Sequence, residues 1–123
     1  MSKLSFEDNY FDYALCVAAL HCVDTAKNRA LVLHELFRVL KPQAKAFITV
    51  WSSTHPKIKN KDKKEQYIAW RKGRKEYFRY YYLYDKTELE KAVKKAGFEV
   101  LSSKANYNIV LELKKPACSV LSR

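Results

Sequence analysis

Two glycines, Gly73 and Gly97, are all that this 123-residue chain contains, and they lie twenty-four positions apart. A loop that wraps a nucleotide or phosphate with its backbone N–H groups needs glycines close together at a helix N-terminus, where positive φ and close approach carry no Cβ penalty. Two isolated glycines cannot build one. What remains reads as the back half of a ligand-binding sheet domain.

From Tyr13 to Leu20 the residues are apolar without interruption, the pattern of a parallel-sheet strand buried on both faces. Asp24 or Thr25 then caps a helix predicted over about Ala26 to Leu40, where Ala30, Leu33, Phe37 and Leu40 recur at helical spacing before Pro42 stops it. Ala46 to Trp51 supplies a second buried strand, and a crossover of this kind is parallel and right-handed. Residues 52–78 read as an insertion, in which Tyr67 to Trp70 suggests a short amphipathic turn or helix. Asp85 and Glu88 open a second helix at capping-box spacing; Leu89, Ala92, Val93 and Ala96 form its apolar face, and Gly97 its C-terminal cap. Phe98 to Leu101 and Tyr107 to Leu113 read as an antiparallel hairpin, followed by a flexible tail over residues 115–123. The expected fold class is α/β, one partial domain over residues 1–123.

The net charge of +11 is concentrated in the insertion. Between His55 and Arg79 ten basic residues face three acidic ones, a local +7. Lys57, Lys59, Lys61, Lys63, Lys64, Arg71, Lys72, Arg74 and Lys75, interleaved with Tyr67, Trp70, Tyr77 and Phe78, suit an RNA backbone with unstacked bases. A solvated lysine-rich loop is the plainer reading, but this density exceeds what solubility asks. Cys16, Cys22 and Cys118 form no C-x-x-C and suit a reducing compartment rather than a disulfide framework. A metal site built from Cys16, His21, Cys22 and His34 fails on geometry, because along one strand Cys16 and Cys22 would stand about 20 Å apart. No apolar run is long enough to cross a bilayer, so the expected location is cytoplasmic, with the nucleus as a second compartment, and no membrane partner is expected.

Phe6-Glu7-Asp8-Asn9-x-Phe11-Asp12, Ala18-Ala19-Leu20-His21 and Glu35-Leu36-x-Arg38-Val39-Leu40-Lys41-Pro42 together resemble the central part of class I S-adenosylmethionine-dependent methyltransferases. Narrower features point within that superfamily. The strand ending Val50-Trp51, the basic insertion, the run Arg79-Tyr80-Tyr81-Tyr82-Leu83-Tyr84 and the pair Asn106-Tyr107 resemble the eukaryotic tRNA wobble-uridine methyltransferases, which esterify 5-carboxymethyluridine. The resemblance runs from Leu4 to Lys114. It implies an incomplete Rossmann-like sheet holding the fourth to seventh strands and two helices, with the first three strands, the cofactor's glycine loop and the acidic ribose-binding residue outside it. Departures are visible: the family's second histidine is Cys22, its Lys-Pro-Gly-Gly is Lys41-Pro42-Gln43-Ala44, its Arg-Tyr-Tyr-His ends in Tyr82, and its Asn-Trp is Asn106-Tyr107. Losing the turn glycines is tolerable only where the backbone avoids positive φ.

By this resemblance His21 faces the methyl-transfer site, a hydrogen bond at a strand end being the plainer reading. Ala18 and Ala19 would lie against the methionine part of S-adenosylmethionine, with small core residues the commoner explanation. Alternation puts Tyr80, Tyr82 and Tyr84 on one side of a strand and Arg79 and Tyr81 on the other, facing substrate; Asn106 joins them as a substrate-binding residue. The implied function is methylation of the wobble carboxymethyluridine carboxylate in tRNA, with Arg79 neutralising that carboxylate, by a truncated chain that is inactive alone. The competing readings are a non-catalytic RNA-binding or regulatory module and a fragment of a small-molecule methyltransferase. Besides tRNA, the implied partners are the small zinc-containing activator protein of related enzymes and a chain completing the sheet, whose first strand would otherwise leave an open apolar edge.

Overall fold

The computed structural model describes residues 5–58 and 63–117. Strand β1 (Phe11–Val17) leads through one 3-10 turn (Leu20–Cys22) into α1 (Ala26–Val39) and β2 (Leu40–Trp51). A ribbon of β3 (Glu65–Lys72) and β4 (Lys75–Tyr82) follows, then α2 (Lys86–Lys95), β5 (Glu99–Ala105) and β6 (Asn108–Lys114). One sheet has the order β1-β2-β6-β5, with β1 and β2 parallel and the other neighbours antiparallel. β3 and β4 pair only with each other. The α/β class with an incomplete sheet is the fold expected from the sequence.

The helix ends follow from their capping residues. Thr25 Oγ1 accepts from the Asn28 N–H at 3.1 Å, and Asp85 Oδ1 accepts from the Glu88 N–H at 2.7 Å. Gly97 closes α2 at φ 113, with the Phe37 ring 2.8 Å from where a Cβ would stand. Only glycine fits there. One sheet face carries Cys16, Ala46, Ile48, Val50, Ile109, Leu111 and Leu113, buried with Leu33 of α1 and Leu89 and Val93 of α2 in a single core.

At the base of the parallel pair, the stretches that carry the superfamily resemblance hold one another. Arg38 pairs with Asp8 and with Glu35, each at 2.7 Å, and the Asn9 N–H donates to the Arg38 carbonyl at 2.9 Å. Lys115 Nζ donates to Asn9 Oδ1 and to the carbonyls of Phe37 and Leu40, each at 2.9 Å. Lys115, expected to open a flexible tail, is instead held in place, because it caps the C-terminus of α1; residues 118–123 lie outside the described residues.

Three further expectations are corrected. The first strand is not buried on both faces: it ends at Val17, Leu15 is 66% and Val17 60% exposed, and among the described residues β2 alone pairs with it. Alternation places Tyr13, Leu15, Val17 and Phe47 on the face opposite the helices, and among the described residues nothing covers that face. Cys16 and Cys22 consequently do not share a strand, which removes the geometric argument made from one. Second, β2 begins at Leu40 and absorbs Pro42, because the β1–β2 register shifts between the Phe11–Leu40 and Tyr13–Lys45 pairs and leaves Pro42 in an irregularity. Within it Gln43 takes φ 70, so the backbone does not avoid positive φ where the glycine is lost. Third, Tyr67 to Trp70 is strand, not a turn or helix, since it pairs residue for residue with Tyr80 to Tyr77.

Two outcomes are expected. Gln43 is exposed and its side chain touches nothing the strain relief would sacrifice, so Gln43→Gly raises stability by about 0.5–1 kcal/mol in urea titration, the left-handed penalty net of glycine's entropy. Leu15→Lys on the bare face suppresses concentration-dependent association in analytical ultracentrifugation while shifting the thermal midpoint by less than about 2 °C.

Candidate functional site

The ribbon is fastened by its tyrosines. Arg29, buried in α1, donates from Nη1 to the Val23 carbonyl at 2.9 Å and to the Tyr80 hydroxyl at 3.1 Å, and its guanidinium lies 3.8 Å from the Tyr82 ring centroid. The Tyr80 hydroxyl donates onward to Glu65 at 3.0 Å, and the Tyr82 hydroxyl donates to Glu88, which also pairs with Lys64 at 2.8 Å. Burial, then the Glu88 contact, pushes the Tyr82 phenol up to about 12, so it stays a donor. The alternation expected of the Arg-Tyr-Tyr run is what makes this possible: Tyr80 and Tyr82 reach the helices while Arg79 and Tyr81 turn the other way.

That other side closes over the C-terminal ends of β1 and β2, the rim where open α/β sheets hold ligands. His21 is 1% exposed, stacks on Tyr81 with ring centroids 4.8 Å apart, and accepts the Trp51 backbone N–H on Nδ1 at 3.1 Å. Because Nδ1 accepts, the ring's proton is on Nε2. Burial, with His55 adding repulsion, lowers the His21 pKa to about 4, so the imidazole is neutral at physiological pH. Trp51 stacks on His55 at 3.8 Å, meets Tyr81 tilted at 4.6 Å, and stands 6.2 Å from Trp70. Lys57 Nζ lies 3.8 Å and the Arg79 guanidinium 5.4 Å from the centre of the Trp70 ring. Arg79 is exposed, and among the described residues no carboxylate lies within ion-pair distance of it. Burial raises the Tyr81 phenol and the Cys22 thiol, keeping both protonated at neutral pH.

The structure thus brings His21, Tyr81 and Arg79 into one aromatic-walled cluster. Ala18 and Ala19 sit two or three residues from His21; Ala18 is exposed at φ 52, its N–H donating to the Thr49 carbonyl at 2.9 Å. Asn106 falls elsewhere. Its carbonyl accepts from the hydroxyls of Ser52 and Thr54, and it lines a recess of about 440 Å³ with Ser52, Thr54, Tyr84 and Asp85. Of the cations expected to meet RNA, Lys64 is engaged with Glu88 and, at 3.5 Å, Asp85, whose contacts raise its pKa. Its charge also holds ribbon to helix. Lys57 lies over Trp70, Lys63 is exposed beside Tyr67, and Arg71, Lys72, Arg74 and Lys75 stand exposed at the ribbon's end. Lys59 and Lys61 lie outside the described residues.

Sequence reading missed Trp51 and His55 as site walls. Trp51 is visible as a large aromatic ending a strand, but nothing local shows that His55, four residues on, folds back onto its ring. A more apolar recess of about 470 Å³ lies between α1 and α2, where Ala26, Ala30, Ala92 and Ala96 are too small to close the gap, away from the strand-end rim.

Residues 2–103 match the model of a family described as methyltransferase domain. A candidate methyltransferase of Encephalitozoon cuniculi is 34% identical over 105 residues, which are 80% of this chain and 50% of that protein. The tRNA (carboxymethyluridine(34)-5-O)-methyltransferase of Arabidopsis thaliana is 35% identical over 51 residues, 42% of this chain and 13% of that protein. An S-adenosylmethionine-dependent methyltransferase structure from Methanosarcina mazei superposes with a TM-score of 0.74 at 22% identity, covering 95% of this chain and 65% of that one. The chain therefore spans about half the length of the Encephalitozoon relative.

The buried histidine makes stability pH-dependent. Its folded pKa lies below the unfolded value of 6.5, so the unfolded chain binds the extra proton: stability from this group is flat above pH 6.5 and declines by about 1.4 kcal/mol per pH unit down to about pH 4. His21→Asn, which keeps an acceptor near the Nδ1 position, removes that slope in urea titrations run across this range.

Proposed function

This chain belongs to the methyltransferase-domain family, and we propose that it serves S-adenosylmethionine-dependent methylation of a carboxylate-bearing pyrimidine, the 5-carboxymethyluridine at the wobble position of tRNA. The observation that carries the proposal is Arg79: an exposed guanidinium without a carboxylate partner among the described residues, beside the aromatic cluster of Trp51, Trp70 and Tyr81. Aromatic walls accept an unstacked base, and an arginine fork accepts a carboxylate. The Arabidopsis likeness supports the same substrate.

The cofactor fits this chain at one end. Ala18, exposed, and Ala19, half-buried against the core, leave a small-side-chain strand end where the methionine part can lie, and the left-handed φ of 52 at Ala18 turns the chain there. The adenosine part finds no glycine beside that strand end, the two glycines lying in the ribbon's turn and after α2. When bound, S-adenosylmethionine supplies an electrophilic methyl group. The acceptor carboxylate is ionised at neutral pH and needs no base to activate it. A neutral His21 held by the Trp51 N–H suits that chemistry: it orients Trp51 and Tyr81 and excludes water rather than taking a proton. Arg79 grips the carboxylate, and the base meets the protein beside the Trp70 ring that Arg79 adjoins. A chain that completes the sheet, or the zinc-containing activator of related enzymes, would belong on the bare side of β1.

The competing reading, an RNA-binding module without catalysis, is favoured by the ribbon, which stands off the sheet and carries much of the basic charge. Calorimetry with S-adenosylmethionine separates the two, since saturable binding is required of the enzyme and not of the module. The substrate is tested by fluorescence anisotropy with two anticodon stem-loops that differ only in bearing uridine or 5-carboxymethyluridine. The carboxylated stem-loop should bind about tenfold tighter, and Arg79→Gln should abolish that preference while leaving binding of the uridine form. Equal affinity of the parent protein for both stem-loops would overturn the assignment.

A further inference from the structure

Cross-strand pairing divides the ribbon into two faces. Trp70, Arg79 and Tyr81 share the face that carries the aromatic cluster, whereas Tyr67, Ala69 and Phe78 lie on the opposite face. Tyr67 is 71% and Phe78 67% exposed, and nothing in the site uses them. Tyr67 stands opposite Tyr80, whose ring meets it edge-on at 5.7 Å, while Phe78 stands opposite Ala69. The two exposed rings are therefore diagonal neighbours, about 7–8 Å apart along the backbone. Ala69 contributes only a methyl group, so the surface beside Phe78 stays open.

The cations gather at the turn that joins the two strands, Arg71 on this face and the paired Lys72 and Lys75 on the opposite one. Arg71, Lys72, Arg74 and Lys75 crowd the turn around Gly73, which takes φ 64, and among the described residues none of the four has an acidic partner at ion-pair distance. A patch that served only solubility would carry the charges without two large bare rings, and a simple apolar docking patch would lack the uncompensated cations. Rings flanked by unpaired cations are complementary to an anion that carries planar aromatic groups, which describes a single-stranded nucleic acid.

We propose that the outer face of the ribbon is a second RNA contact, in which Tyr67 and Phe78 stack two unpaired nucleotides while the cations of the turn hold the adjoining phosphates. This rests on the reading that the protein's substrate is RNA. The stacked nucleotides lie on the face opposite Arg79, so they flank the nucleotide whose carboxylate Arg79 holds. Two contacts on opposite faces of one ribbon make the ribbon a divider, with the target base on the inner side and its neighbours on the outer. A duplex, whose bases are stacked internally, satisfies the turn's cations but not the rings.

The test measures binding of an unstructured 12-nucleotide RNA carrying one 2-aminopurine, by anisotropy and base fluorescence at several salt concentrations. The parent protein should bind and change the 2-aminopurine signal. Tyr67→Ala with Phe78→Ala should weaken binding about tenfold or more and abolish the signal change without altering the salt dependence. Arg74→Ala with Lys75→Ala should reduce the slope of log K against log salt by about 1.4 and preserve the signal change. All four side chains are exposed, and circular dichroism establishes that the variants keep the fold. If the parent binds and the ring variant binds equally, with the same signal, the platform is overturned and the RNA reading stands. If the parent binds no RNA at low salt, the RNA reading itself falls. If the ring variant loses affinity equally for duplex RNA or for phosphatidylserine vesicles, the rings do not stack bases and the platform is overturned.

Discussion

A buried arginine decides where the candidate site is. Arg29 has no carboxylate within ion-pair distance among the described residues; a carbonyl, a phenol and an aromatic face surround its charge instead. Two of those three partners, Tyr80 and Tyr82, belong to the ribbon. A charge taken from water is costly unless each such contact is made, so the ribbon is held where it can satisfy Arg29. With Tyr80 and Tyr82 turned toward the helices, strand alternation forces Tyr81 onto His21 and Trp51. The aromatic cluster is in this sense the reverse side of a structural anchor.

The opposite end of the parallel pair is built for rigidity. Asp8, Arg38, Asn9 and Lys115 tie the chain before β1, the end of α1 and the residue after β6 into one knot below the sheet. The residues that most plainly carry the superfamily resemblance are therefore mostly structural, and the ones at the rim are fewer. Strain sits at both ends: Gln43 accepts a left-handed conformation in the irregular start of β2, and Ala18 accepts one at the rim. The first is a cost of losing a glycine; the second lies where a ligand would approach.

The bare face of β1 sets the limits of the molecule. Its apolar residues Tyr13, Leu15 and Val17 are the ones that a sheet covered on both faces would bury, and parallel sheets are ordinarily so covered. A sequence window sees eight apolar residues and reports burial, because burial is their usual consequence; it has no access to what packs against them. The same limitation explains Tyr67 to Trp70, where short-range pattern suggested a turn or helix and pairing with Tyr77 to Tyr80 made a strand. Lys64 was one lysine among many until its distance to Glu88 set it apart.

What the sequence determined by itself are the features governed by neighbours along the chain: the two capped helices, the apolar strands, the terminal hairpin, the concentration of charge, and the alternation that sends Arg79 and Tyr81 one way and Tyr80 and Tyr82 the other. These depend on residues a few positions apart, where capping, periodicity and the pleat act directly. Tertiary structure alone decided that His55 stacks on Trp51, that Asn106 leaves the cluster His21 shares with Tyr81, and that Lys64 holds a helix. Each of these depends on a pairing between distant segments, whose partner is chosen by the packing of the whole sheet and ribbon and not by local residue pattern.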